Sequence, residues 1–221
     1  MSGEAELAKM WTLFPPDRQA PIHLRAIWPK GVQSSRGAKN LIFTSGEYTS
    51  LCDRKKAFSD SALSLNASGY NIYTCFNPIL PGHTESSVND QDIAVRTHLL
   101  IDIDRAEMLA ASATDAEIEE AEKLADKVAS FLHEKRGLLV DRVMSGNGVH
   151  LYVPLDSVPN DDTSKEHCKQ LLRGLAHRFD NDIVKIDTTV FNAARITKVP
   201  GTIMRKGAET ADRPYRMARV I

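Results

Sequence analysis

Along Leu99-Leu100-Ile101-Asp102-Ile103-Asp104 an apolar run passes into strict alternation, the pattern of a strand with one buried face. Successive strand side chains point to opposite sides, so Ile101 and Ile103 are predicted to enter a core while Asp102 and Asp104 share the other face. Upstream, Tyr70 to Phe76 is aromatic and β-branched and ends at Asn77-Pro78, which predicts a strand running into a turn. A turn-rich stretch from Pro29-Lys30-Gly31 through Ser35-Arg36-Gly37, a short apolar piece at Leu41-Ile42-Phe43 and a helix over about Tyr48 to Leu65 precede it.

Downstream, Thr114-Asp115-Ala116-Glu117 is a capping box, in which the Thr and Glu side chains satisfy free amides at a helix start. Ile118, Ala121, Ala125, Val128 and Leu132 then recur at helical spacing, and Gly137 is a stop. Leu138 to Met144 and Val149 to Val153 read as strands joined by Ser145-Gly146-Asn147-Gly148, a tight-turn sequence. A second box, Thr163-Ser164-Lys165-Glu166, is predicted to open a helix with Cys168, Leu171, Leu172, Leu175 and Phe179 on one face. Ile183 to Asp187 and a mixed stretch from Phe191 follow. Strands paired by tight turns with helices between them predict an α+β fold on antiparallel or mixed sheet.

The 221 residues suffice for one compact domain or two small lobes. Lys+Arg 28 against Asp+Glu 29 leaves a net charge of -1, which argues against a surface coated in positive charge but leaves room for a local basic cleft. No apolar stretch approaches the roughly 20 residues that span a bilayer, and Met1-Ser2-Gly3-Glu4-Ala5-Glu6 is not a leader, so a cytoplasmic protein with no membrane partner is expected. Cys52, Cys75 and Cys168 are far apart and odd in number, as for reduced, half-buried thiols.

Two carboxylates side by side repel, yet they offer hard oxygens to a divalent cation. Asp187, after the apolar Ile186, adds a third carboxylate, and three can hold two cations for in-line phosphoryl transfer. In Ser145-Gly146-Asn147-Gly148-Val149-His150 the glycines permit a close turn that can offer amides to a phosphate, and His150 falls on the face opposite Val149 and Leu151, with Tyr152. Arg195 and Lys198 supply a planar fork and a mobile point charge for a triphosphate. On a regular strand they would face opposite ways, so a bend near Pro200-Gly201 is expected to bring Lys198 round. Taken alone, each segment is better described as solvated side chains at strand ends and loops.

Asp102-x-Asp104, Ser145-Gly146-Asn147-Gly148-Val149-His150 and Asp187, in this order, resemble the three motifs of the archaeo-eukaryotic primase superfamily. The tail Phe191-Asn192-Ala193-Ala194-Arg195-Ile196-Thr197-Lys198-Val199-Pro200-Gly201-Thr202 is similar to primase-polymerase domains of phages, plasmids and related mobile elements, and Tyr73 to Pro78 and Asp90 to Ile93 share that look. The resemblance runs from about Arg25 to the C-terminus. It implies an RRM-like catalytic sheet, placed at residues 95–221, with a smaller N-terminal α/β unit at 1–94. It further implies that Asp102, Asp104 and Asp187 ligate two Mg²⁺ or Mn²⁺ ions, and that Ser145, Gly146, Asn147 and His150 hold the incoming nucleotide, with Asn192, Arg195 and Lys198 as further contacts. The implied partners are a single-stranded DNA template, a primer-template duplex and dNTP or NTP, with a helicase in cis or in trans as a further one.

The sequence contains no helicase, primase C-terminal or zinc-binding segment. A stand-alone catalytic domain or a piece of a longer protein is expected, and the end at Val220-Ile221 inside an apolar stretch favours the piece. The expected activity is template-dependent nucleotidyl transfer; a non-catalytic replication-initiator module and a metal-dependent nuclease are the alternatives. Tyr73, Phe76 and Asn77 are candidates for the surroundings of the ribose 2′ position, and Arg25, Lys30, Arg36 and the basic stretch Arg205-Lys206-Gly207 to Arg216 for template contacts.

Overall fold

The computed structural model describes residues 2–32, 34, 36–107 and 109–221. Ser35, within the stretch read as turns, lies outside them. The chain opens with α1 (Gly3–Leu13), capped by the Ser2 hydroxyl, then β1 (Ile22–Ile27) and β2 (Lys39–Phe43), of which α1 and β1 had no counterpart in the predicted elements. The next helix, α2 (Leu51–Ala67), starts three residues later than predicted because Ser50 accepts the Asp53 amide and Thr44 to Glu47 forms its own short turn. There follow β3 (Asn71–Cys75), β4 (Val95–Arg105), α3 (Asp115–Arg136), β5 (Asp141–Met144) and β6 (Val149–Pro159). The chain ends with α4 (Asp162–Phe179), β7 (Val184–Ile186), β8 (Ile196–Lys198), β9 (Ile203–Met204), β10 (Arg216–Met217) and β11 (Arg219–Val220).

The capping box at Thr114 and Glu117 forms as predicted, and Gly137 closes α3 in the left-handed conformation, at φ 67°. At α4 the cap is different: Asp161 accepts the Ser164 amide, so the helix starts before Thr163. A carboxylate at the N-cap supplies that bond and favours the positive end of the helix dipole.

Every named strand pairing is antiparallel. One sheet has the order β11-β5-β6-β4-β7, and within it β4-α3-β5-β6-α4-β7 follows the RRM pattern of strands and helices, with β11 added at the edge. The other sheet, β2-β1-β3-β8, takes its last strand from the far end of the sequence. A hairpin of β9 and β10 closes over the region between.

Helices α3 and α4 cover one face of the five-stranded sheet, where Ile101, Ile103, Val149 and Leu151 are buried. The opposite face turns towards the four-stranded sheet, and there Tyr152 packs edge-on against Phe14 and Phe76, with centroids 4.7 and 5.8 Å apart. One apolar cluster runs through both layers. Phe76 therefore belongs to the core, and the Asn77 carboxamide accepts the Thr97 and His98 amides at an irregularity in β4. Among the described residues no helix is long and apolar enough to cross a membrane. The cysteines are free, but Cys52 is exposed, Cys75 intermediate and Cys168 buried, a wider spread than expected.

Candidate active site

Alternation in β4 places Asp102 and Asp104 on the face away from α3, as the sequence predicts. Asp102 lies directly across from His150 on β6, and His150 Nε2 is 3.3 Å from Asp102 Oδ1. These side chains line a cleft of about 300 Å³ together with Ser145, Asn147, Arg195 and Lys198, and with Ile27, Tyr73 and Met204. The like charge of the two aspartates is visible in their proton affinity. Burial and the neighbouring Asp102 hold the Asp104 carboxyl above its usual range. For Asp102 burial pushes the same way, but the charge and hydrogen bond of His150, aided by Arg195 and Lys206, bring it below.

Asp187 reaches this neighbourhood through the backbone. The β4–β7 register pairs Ile103 with Ile186, and one step further the Asp187 amide donates to the Asp102 carbonyl at 2.8 Å. Its carboxylate is turned to Thr189, accepting the amide at 2.8 Å and the hydroxyl at 2.6 Å, with Arg195 at 3.7 Å. Among the described residues no three His, Cys, Asp or Glu side chains are gathered closely enough to hold a metal ion. The structure thus brings Asp102 and Asp104 together and leaves the third carboxylate beside them, engaged with Thr189 and Arg195.

The glycine turn is held close by necessity. A Cβ at Gly148 would sit 2.1 Å from the Ile103 carbonyl oxygen, and Gly146, at φ 104°, lies against Met204. Two of the turn's amides are used internally: Ser145 N donates to Gly148 O and Gly146 N to the Met144 thioether. A side chain of the turn supplies a further donor. Asn147 Oδ1 accepts the Ala113 amide at 2.9 Å, which fixes the carboxamide orientation and leaves its buried Nδ2 unpartnered. A buried donor without an acceptor is costly, so this group is suited to a ligand oxygen.

Both cations reach the cleft, from the two ends of β8. Arg195 precedes β8 in a turn closed by its amide to Asn192 O, and a second turn at Pro200-Gly201, where the bend was expected, follows the strand with Gly201 at φ 82°. On β8, Lys198 pairs with Tyr73 of β3 and is fully buried. Its ammonium donates to Thr202 Oγ1 at 2.7 Å and to Ile203 O at 3.2 Å, with no carboxylate partner among the described residues. Burial, with the charge of Arg205 adding to it, depresses its proton affinity well below that of an ordinary lysine. Asn192 is directed elsewhere, its Nδ2 3.4 Å from Asp90 Oδ1.

Lys206, assigned from sequence only to a basic stretch, is close enough for its charge to act on both Asp104 and Asp102. Arg213 and Arg216 of that stretch instead pair with Glu117 and Asp115 and donate to the Ser112 and Ala113 carbonyls. Arg36 stacks over Trp28 at 4.6 Å. Thr197 was missed at the site, and Tyr152, though placed on the face of His150, was given no part in it. Both are buried behind His150, and only the pairing of β8 with β3 brings Thr197 there.

No family model matches the chain, and no curated protein sequence matches it. Solved structures do. The primase-polymerase AEP domain of cyanophage S-2L superposes with a TM-score of 0.56 at 17% identity, covering 99% of this chain and 89% of that one. The polymerase domain of ligase D from Mycobacterium tuberculosis, solved in complex with DNA, gives 0.52 at 17% identity, with 96% and 78% covered. Together with the RRM-like order of the five-stranded sheet, these likenesses establish that the chain has the archaeo-eukaryotic primase-polymerase fold.

Proposed function

We propose that this protein is a template-dependent DNA primase-polymerase, which transfers nucleotides to a 3′-hydroxyl and releases pyrophosphate in the replication of a phage, plasmid or other mobile element. The observation that carries this reading is the convergence of Asp102, Asp104 and His150 on one cleft with Arg195 and Lys198. Acidic groups for cations and basic groups for phosphates stand within one small volume, the requirement of phosphoryl transfer. In this reading the catalytic unit is built on residues 95–221, whose β8 completes the sheet formed by strands of 1–94.

The donor set fits magnesium or manganese: the carboxylates of Asp102 and Asp104 are hard oxygen ligands on one strand face, and the repulsion between them is the kind a cation relieves. Asp187 would be the third ligand. Ions held by these carboxylates would supply acidification of the attacking hydroxyl and charge neutralisation at the leaving pyrophosphate. The chain's own groups do the rest of the positioning. Arg195 presents a guanidinium fork, Lys198 a buried ammonium with no anionic partner among the described residues, and Asn147 Nδ2 an unused donor. His150 and Ser145 line the same wall, Gly146 gives the turn its shape, and Asn192 reaches the nucleotide only if it leaves Asp90.

Incubation with a labelled primer-template, dNTPs and Mn²⁺ or Mg²⁺ tests the proposal, with a metal-free control. Strand growth that requires the cation supports it. Retention of the strand without growth identifies a non-catalytic binding module, and shortening identifies a nuclease.

A further inference from the structure

The side of His150 that faces away from Asp102 is as closely held as the side that faces it. Nδ1 lies 3.0 Å from Thr197 Oγ1 and 3.3 Å from Tyr152 Oη, and these two hydroxyls are hydrogen-bonded to each other. Tyr152 is two residues along β6 from His150, whereas Thr197 comes from β8 in the other sheet. Both are essentially inaccessible to water.

For the neutral ring, a proton count selects between the two tautomers. Beside a carboxylate, Nε2 must carry a proton, since two lone-pair faces would repel. In the neutral ring Nδ1 is then an acceptor. Two hydroxyl protons remain, and the pair uses both: one hydroxyl donates to the other, which donates to Nδ1. No other acceptor for either hydroxyl exists among the described residues, and burial raises the Tyr152 phenol further, so it stays protonated. The opposite tautomer would leave a hydroxyl proton buried without a partner and the Asp102 carboxylate facing a bare nitrogen.

We propose that Thr197 and Tyr152 are positioning residues for the nucleotidyl transfer, holding His150 as the Nε2–H tautomer with its donor fixed towards the cleft. The inference rests on the proposed polymerase function for its catalytic consequence, but the ring's tautomer is independent of it. Arg195, Thr197 and Lys198 lie within four consecutive positions. The pairing of β8 with β3 therefore sets the charge of the cleft and the orientation of its histidine at once.

Thr197→Val keeps the shape and removes the hydroxyl, Thr197→Ser keeps the hydroxyl, and Tyr152→Phe removes the outer member of the chain. Two readouts apply to each variant. Nitrogen-15 NMR of the histidines in the metal-free full chain, with His150→Gln to assign the signal, is expected to show Nε2 protonated in the wild type and Thr197→Ser, and a mixture in Thr197→Val. Primer extension is expected to show kcat lowered about 10- to 100-fold in Thr197→Val, less in Tyr152→Phe, with KM for dNTP changed much less and Thr197→Ser restoring most of the rate. A wild-type ring protonated at Nδ1, or a Thr197→Val protein with unchanged tautomer and unchanged kcat, overturns the inference. If the wild type itself extends no primer, the polymerase reading fails and the spectra alone decide whether the ring is held.

Discussion

Asp102 and His150 stand directly opposite each other on β4 and β6, and this pair joins the acidic half of the cleft to the basic half. Next to Asp102 on the other side is the backbone of Asp187. A single rung of the sheet thus carries His150, Asp102 and Asp187 in a row, with Asp104 two residues along β4 on the same face.

The two strand carboxylates make the apo protein pay in stability for its site. Asp104→Asn removes a half-buried charge held against Asp102, so the metal-free variant is expected to melt at or above the wild-type temperature. Wild-type protein should gain about 2.7 kcal/mol when Mn²⁺ is present at a hundredfold excess over its dissociation constant, and the variant little. Thermal denaturation with and without Mn²⁺ reads both effects.

Lys198→Met replaces a buried ammonium, which has no anionic partner among the described residues, by an unbranched apolar chain. Burying a charge costs more than its two hydrogen bonds return, so stability is expected to hold or rise. Nucleotide affinity should fall about tenfold or more, measured by the concentration dependence of primer extension or by dNTP titration.

Gly148→Ala is expected to be severe. The added methyl meets the Ile103 carbonyl oxygen at 2.1 Å, backbone against backbone, so the turn must lift from β4. A loss of about 2 kcal/mol or more in urea unfolding is predicted, whereas Gly174→Ala, in open space on α4, should be neutral or stabilising.

His23 on β1 gives the fold a response to acid. Burial is the main cause that holds its imidazole down to about 4; Asn40 beside the ring opposes this, and the charges of Arg25 and His83 reinforce it. Neither ring nitrogen makes a hydrogen bond of good geometry. Above about pH 6.5 the ring is neutral folded and unfolded alike and adds no slope. As pH falls from 6.5 towards 4 only the unfolded chain takes the proton, so stability is lost through that window, on the order of 3 kcal/mol in all. His23→Leu should flatten this part of the stability profile in denaturant titrations at stepped pH.

Local patterns carried most of what could be foreseen. Alternation placed Asp102 and Asp104 on one face, the capping box at Thr114 started α3, and the two glycines of Ser145 to Gly148 marked a turn whose closeness the Ile103 carbonyl explains. What escaped depends on partners distant in sequence. Thr197 enters the site, beside the expected Lys198, because β8 pairs with β3, more than 120 positions away, and no periodicity within Ile196-Thr197-Lys198 reports that. The start of α4 was misplaced because Asp161 and Thr163 both suit an N-cap, and only the Asp161 to Ser164 bond decides between them. Asp187 was legible as a carboxylate after a strand, but its hold on Thr189 and Arg195 was not.

The most direct test of the central claim is incorporation of labelled dNMP into a primer-template by the wild type and by the Asp102→Asn/Asp104→Asn double variant, in buffer containing Mn²⁺, after both are shown to be folded. The wild type is predicted to extend the primer and the double variant to fall to background. Extension at an undiminished rate by the double variant would contradict the account.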